Sequence, residues 1–188
     1  MNSIVSASAQ KTVILVTGAS RSGKSEWAEN LADQSKLSVT YVATAMSDPT
    51  DIEWQKRIIQ HQQRRPKTWK TLHEPYKLPW VIRNSLPQTC LLIDSLGTWV
   101  ANLLDISDRS WRKITDNLHE SLAMTPSTVI LVGEETGWGV VPAYASGRLF
   151  RDRLGQLLRQ IGTQADTVYL VTGGHAINLS VLGTPLNK

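Results

Sequence analysis

Cysteine, phenylalanine and long apolar runs are scarce in this chain of 188 residues, and each shortage closes off a class of protein. The single cysteine, Cys90, excludes an internal disulfide and fits a reducing compartment. It sits beside Leu91-Leu92-Ile93, which reads as a small buried hydrophobe rather than a reactive thiol. No apolar run approaches the length that spans a bilayer. Residues 1–11 are small and polar with no apolar segment, so a loose tail is expected rather than a signal peptide, and the chain is expected in the cytoplasm. The excess of one charge sign is also small. A net charge of +4 and a pI near 9.3 gather in two patches, Arg57, Arg64, Arg65, Lys67, Lys70 and Arg148, Arg151, Arg153. Such patches suit a small polyanion at least as well as a nucleic acid. Seven tryptophans stand against one phenylalanine, scattered and forming no stacking platform, so most are expected in the core or at interfaces.

What is present begins at Val13. The run Val13 to Val16 reads as a buried strand and leads into Gly18-Ala19-Ser20-Arg21-Ser22-Gly23-Lys24-Ser25, followed by helical composition. Strand, glycine loop and helix in that order are the setting of a P-loop. Gly18 and Gly23 allow successive amides to turn inward around a phosphate. Lys24 would reach the β- and γ-phosphates, the Ser25 hydroxyl a magnesium ion, and the new helix presents its positive end. The motif predicts nucleoside triphosphate binding and is silent on the reaction.

Apolar, β-rich runs recur at 13–17, 39–43, 90–94, 128–133 and 167–172. Segments of helical composition lie at 24–34, 49–63, 97–105, 110–123 and 146–162. The alternation predicts an α/β fold, a mainly parallel sheet flanked by helices, in a single nucleotide-binding domain over 12–188. Residues 64–88, with Pro66, Pro75, Pro79 and Pro87, are the least regular stretch and read as a loop excursion or a long connection.

Asp94 closes one apolar run, where P-loop enzymes hold an acidic residue for the magnesium shell; a helix N-cap is the alternative. Glu134 and Glu135 end another run, at the strand ends where open α/β sheets bind ligands. Asp48-Pro49 marks a helix start, from which helical spacing lines Arg57, His61, Arg64 and Arg65 along one side. Arginines lower the proton affinity of a neighbouring imidazole, keeping it neutral and nucleophilic near pH 7. The pattern fits covalent attack on a nucleotide phosphate, but by itself reads first as a solvated basic face with an incidental histidine.

These motifs occur together with Tyr41-Val-Ala-Thr-Ala45, Arg57-Ile-x-x-His61-x-x-Arg64-Arg65-Pro66-x-x-Trp69 and Leu92-Ile-Asp94-Ser-Leu-x-Thr98-x-Val100-x-Asn102-Leu103-Leu104. Glu135-x-Gly137-x-Gly139-Val-Val-Pro142 and Arg148-x-Phe150-Arg151-Asp152-x-x-Gly155 complete the series. From about residue 12 to 183 the chain resembles the bifunctional adenosylcobinamide kinase / adenosylcobinamide-phosphate guanylyltransferase family. The resemblance implies a RecA-like P-loop fold, a corrinoid substrate, GTP and ATP with Mg²⁺, and a homotrimer. It implies phosphorylation of the aminopropanol hydroxyl of adenosylcobinamide, then GMP transfer through a guanylyl-histidine formed on His61. Nucleotide contacts carry over to Gly18 through Ser25, to Ala43, Thr44 and Ala45, to Gln62, Gln63, Arg64 and Arg65, and to Asp94. Ser25 and Asp94 are the implied magnesium ligands.

The chain departs from the family pattern at three places. His73-Glu74 stands where two glutamates are common, Glu134 where an asparagine precedes Glu135, and Leu158 where an asparagine follows Gly155. The base for the phosphorylation step is not identified by pattern; Glu135 and Asp94 are the candidates. Two other readings use the same P-loop: a small-molecule kinase without a covalent intermediate, and a nucleic-acid-stimulated ATPase.

Overall fold

Alternate residues of the central strands are apolar on both sides, so the strands must be covered on both faces. In β1 (Val13–Gly18), Val13 and Leu15 face one way and Val16 the other. β4 (Thr89–Asp94) divides in the same manner into Leu91 and Ile93 against Cys90 and Leu92. β5 (Thr128–Glu134) gives Val129 and Leu131 to one face and Ile130 and Val132 to the other. Continuous apolar strands of this kind belong to parallel sheets with helices on their faces. The computed structural model, which describes residues 11–46 and 65–186, has that architecture.

Seven strands lie in the order β3-β2-β4-β5-β1-β6-β7, where β2 is Ser38–Ala43, β3 Lys70–His73, β6 Thr167–Thr172 and β7 His175–Asn178. All neighbours are parallel except β6 and β7. One face carries α2 (Leu78–Arg83), α3 (Leu96–Asn102), α4 (Asp108–Met124) and α5 (Ala145–Gln164), packed with Trp99, Leu118, Leu154 and Leu157 in its core. The other receives α1 (Lys24–Gln34) through Ala28 and Ala32, whose small side chains let the helix approach the sheet. A four-residue helix, α6 (Leu179–Leu182), follows β7.

Each strand expected from composition is present, and the helices at 24–34, 97–105, 110–123 and 146–162 are found within a few residues of those bounds. The expected helix at 49–63 and all but Lys11 of the expected tail at 1–11 lie outside the described residues. Within the proline-rich stretch 64–88, β3 and α2 form, so it is not wholly a loop. Pro79 sits in the first turn of α2, where a missing amide hydrogen costs nothing. Of the described tryptophans, Trp99 and Trp111 are buried and Trp27 and Trp69 pack against the core. Trp80 and Trp138 are exposed instead. Cys90 is fully buried, and burial raises its thiol pKa to about 11, so it is the inert hydrophobe its neighbours suggest.

The three arginines of the second basic patch all bond within the chain. Arg153 is buried, its guanidinium donating to the carbonyls of Leu103, Leu104 and Ile106 at 2.9–3.1 Å and to Asp108 at 3.0 Å. Arg148 bonds the carbonyls of Pro142 and Ala143, and Arg151 pairs with Asp152. Arg148 and Arg153 tie α5 to the connections around it, while the Arg151 pair lies within the helix. Arg153→Ala would leave the Leu104 and Ile106 carbonyls without this donor and Leu103 O with only Ile106 N at 3.4 Å, and a loss of about 3 kcal/mol is expected. Urea unfolding measures it; a change below 1 kcal/mol would show that the clamp is dispensable.

Candidate active site

The register of the parallel strands brings the site together before any side chain is considered. Ala43 lies opposite Asp94, and Gly18 opposite Glu134, all at the carboxyl edge of the sheet. That edge is where open α/β sheets bind ligands. β5 runs between β1 and β4, so the P-loop and Asp94 rise from strands separated by one other, with Glu134 and Glu135 at its end between them.

The loop after β1 needs its glycines. A Cβ at residue 18 would strike the Val171 carbonyl oxygen and come within 2.6 Å of Ser22 Oγ. Gly23 has φ +94°, the left-handed region, and it caps α1 without a side-chain hydrogen bond. Arg21 also has a positive φ of 60°, and Ser22 N donates to Ala19 O at 3.2 Å, which coils the loop tightly. Lys24 opens α1 and is buried, its Nζ 3.4 Å from Ala19 O across the loop. Ser22 Oγ is buried with no hydrogen-bond partner. A buried ammonium and an orphaned hydroxyl beside a helix N-terminus are what an oxyanion of a triphosphate would satisfy.

Asp94 is held from β2. The Tyr41 hydroxyl, on a 3 % exposed side chain, donates to Asp94 Oδ2 at 3.0 Å. Burial, reinforced by the Asp94 charge, pushes the Tyr41 pKa well above its usual value, so the phenol remains a donor at every working pH. The Arg65 guanidinium lies over the Tyr41 ring, 3.2 Å from its centroid. The helix N-cap is Ser95, whose Oγ accepts from Thr98 N, so the N-cap alternative for Asp94 falls away. Tyr41→Phe removes one donor to the carboxylate and leaves the packing. The expected result is an approximately fivefold rise in the magnesium concentration for half-maximal activity, with kcat moved less; an unchanged magnesium dependence would deny Tyr41 this role.

Thr44 is fully buried between the ends of β2 and β4: its Oγ1 donates to Ser95 O at 2.7 Å, accepts from Ser95 N at 2.9 Å and meets Thr98 Oγ1 at 2.5 Å. Asn102 Nδ2 bonds Thr44 O at 2.7 Å and Pro75 O at 3.0 Å. Thr44 therefore fixes the turn, while Ala43 and Ala45 are half-buried beside it. Thr17 Oγ1 donates to Glu135 Oε1 at 2.6 Å, and Glu135 N to Gly18 O at 3.0 Å, which binds the end of β5 to the P-loop. Glu134 Oε2 accepts from Gly97 N at 2.9 Å, against a glycine that leaves room for it. Desolvation raises the Glu134 pKa, a Ser95 hydrogen bond and the Lys24 charge oppose the rise, and the Asp94 charge adds to it.

Sequence reasoning singled out Gly18 to Ser25, Ala43 to Ala45, Arg65 and Asp94, and the fold gathers these at one edge. His61, Gln62, Gln63 and Arg64 lie outside the described residues. It gave no role to Tyr41 or Thr17. A tyrosine inside the apolar run 39–43, two residues before the strand end, was the available signal. Of the three departures, Leu158 packs over Gly133 of β5, and His73 ends β3 exposed. Glu74 Oε1 accepts from the amides of Tyr76 and Lys77 ahead of α2, at 3.0 and 2.8 Å. Among the described residues no cluster of three or more His, Cys, Asp or Glu could hold a metal. The hard oxygen donors of Ser25 and Asp94 fit a magnesium ion that takes its remaining ligands from phosphates and water.

The chain is 38% identical over 174 residues to the bifunctional adenosylcobalamin biosynthesis protein CobP of Pseudomonas aeruginosa, covering 92% of this chain and 98% of that one. It is 34% identical over 182 residues to the corresponding CobU of Escherichia coli K12, covering 89% and 99%. Among solved structures, a protein from Pyrococcus horikoshii OT3 matches with a TM-score of 0.55 at 8% identity, over 90% of this chain and 85% of that one. An ATPase of a bacterial type III secretion system matches with a TM-score of 0.52 at 11% identity, over 91% of this chain and 53% of the other. These two likenesses speak for the α/β fold alone. With the family model for cobinamide kinase / cobinamide phosphate guanyltransferase matching residues 14–179, the chain belongs to that family of cobalamin-biosynthesis enzymes.

Proposed function

We propose that this enzyme phosphorylates the aminopropanol hydroxyl of adenosylcobinamide with ATP or GTP, and then joins GMP from GTP to that phosphate through His61. The observation that carries the reading is the shared edge of the P-loop, Asp94 and the Glu134-Glu135 pair, in a chain that matches the family over nearly its whole length. In the first reaction the corrinoid hydroxyl oxygen attacks the γ-phosphorus, the β–γ bridge breaks, and the nucleoside diphosphate leaves. Glu135, whose carboxylate already accepts from Thr17, and Asp94 are the candidates to take the hydroxyl proton. In the second, a neutral His61 nitrogen attacks the α-phosphorus of GTP and pyrophosphate leaves. A phosphate oxygen of the corrinoid then displaces the imidazole, giving adenosyl-GDP-cobinamide.

Lys24 and the first amides of α1 hold the triphosphate by charge and hydrogen bonds and offset charge on the leaving group. Magnesium, when bound through Ser25 and Asp94, adds neutralisation of the phosphate oxygens. The same reading includes a homotrimer and a cytoplasmic location. Among the described residues no helix is long and apolar enough to cross a membrane. The test is an intact mass of the protein after incubation with Mg-GTP. A GMP-sized adduct that is discharged by adenosylcobinamide phosphate is expected; a protein that binds nucleotide and forms no adduct would leave only the kinase.

A further inference from the structure

Nine residues between β5 and α5 carry an apolar surface that nothing in the described chain covers. In 136–144, Trp138 is 72 % exposed, Val140 94 %, Val141 61 % and Tyr144 81 %. Four large apolar side chains in seven consecutive residues cannot be credited to the scatter of exposed hydrophobics that any surface shows. The segment is nevertheless held at both ends. Its start is bound to the P-loop by Glu135 N on Gly18 O and by Thr17 on the Glu135 carboxylate. Its end is bound by Arg148, which donates to Pro142 O at 3.0 Å and to Ala143 O at 2.6 Å, with Pro142 lying against Gly147 of α5.

We propose that this segment is the docking surface for the corrin macrocycle, resting on the functional reading above. The reacting hydroxyl and phosphate of the substrate stand at the tip of a side chain. When that tip is at the P-loop edge, the ring system must lie just outside it. Trp138 is three residues beyond Glu135, so it is within roughly 10 Å of the P-loop anchor by chain length alone. A corrin is a broad, nearly flat macrocycle with a methyl-studded rim and amide arms. An indole face, two valines and a phenol that ends in a polar tip match that mixture. Gly137 and Gly139 add to the match. A Cβ at either would meet nothing within 4 Å, so packing inside the chain makes no demand for glycine there, and the bare backbone is open to close approach by a ligand. Four anchors fall short of the roughly 20–30 residues a side that a stable protein interface takes, so this patch alone does not make the trimer contact of that reading.

The test is Trp138→Ala beside Trp138→Phe. The parent and both variants are followed by equilibrium dialysis of adenosylcobinamide, by the KM for adenosylcobinamide phosphate in GMP transfer, by GMP-adduct formation from GTP alone, and by sedimentation. Trp138→Ala is expected to weaken corrinoid binding and raise the KM about tenfold, with Trp138→Phe near the parent and adduct formation within about twofold. Unchanged corrinoid binding and KM would overturn the proposal. So would an equal fall in adduct formation, which would make Trp138 part of the nucleotide site, or a changed sedimenting mass, which would make the patch an interface between copies. A parent that binds and converts no corrinoid would overturn the functional reading itself, and the docking surface with it.

Discussion

Lys24→Met is expected to leave a folded protein in which phosphorylation and GMP-adduct formation have both fallen about 10³-fold. The reasoning starts from burial. Lys24 is 8 % exposed at the first position of α1, with its ammonium turned back across the loop to Ala19 O at 3.4 Å. One weak hydrogen bond to a carbonyl and the nearby carboxyl of Glu134 only partly compensate a buried charge, so the side chain contributes little to stability and is held ready for an anion. Methionine keeps the stem and its packing while removing the charge. Both reactions pass charge onto a leaving phosphate, and a preorganised donor at such a point is worth about 10²–10³ in rate. The loss should therefore appear in kcat for ATP- or GTP-dependent phosphorylation and equally in the rate of the mass adduct. Thermal unfolding without nucleotide should change by only a few degrees. A second consequence follows from Glu134, whose carboxyl is kept from rising further by the Lys24 charge; without it Glu134 moves further toward the protonated form. A variant that retains most of either activity would show that the phosphates are held elsewhere, and one that unfolds would make Lys24 a structural residue.

Much of this arrangement could be read before the fold was seen, for a physical reason. Strands buried on both faces must be apolar throughout, so β1, β4 and β5 announce themselves as Val-Ile-Leu-Val, Cys-Leu-Leu-Ile and Val-Ile-Leu-Val, and the polar residue that ends each run marks the ligand edge. Gly18, Gly23 and Lys24 are equally legible because their chemistry is local: a tight turn and a helix start. The edge of the sheet is harder. β3 is only four residues long and exposed throughout, and it forms because β2 offers a parallel partner in the register Tyr41 to Thr71, which no local pattern encodes. β7 pairs antiparallel with β6 through a turn at Gly173-Gly174, a glycine pair that was a fair hairpin signal. Arg153 misleads for the same reason that β3 hides: its partners are carbonyls about 50 positions earlier in the chain, so charge alone suggests a surface patch. Tyr41 is legible as a core residue, but its bond to Asp94 exists only because β2 and β4 are neighbours in register.

His61→Ala is expected to abolish the GMP adduct and to slow GMP transfer at least about 10⁴-fold, while phosphorylation of the corrinoid continues. The separation follows from the two bond-breaking steps. Phosphorylation breaks the β–γ bridge and needs the P-loop, magnesium and an oxygen nucleophile supplied by the substrate. GMP transfer breaks the α–β bridge and joins two phosphate groups, each an anion that repels the other. An imidazole divides that encounter into two displacements, each with a neutral nucleophile or leaving group, and so lowers a barrier that a P-loop alone does not address. Arg65, four residues after His61 in the sequence, lies on Tyr41, and Tyr41 holds Asp94 at the edge of the sheet. The variant should accumulate phosphorylated corrinoid in the presence of GTP, visible by mass, and no nucleotide-linked product. Loss of both reactions together would assign His61 to nucleotide binding. Full GMP transfer without the histidine would mean direct displacement at the α-phosphorus, and the covalent step would have to be withdrawn.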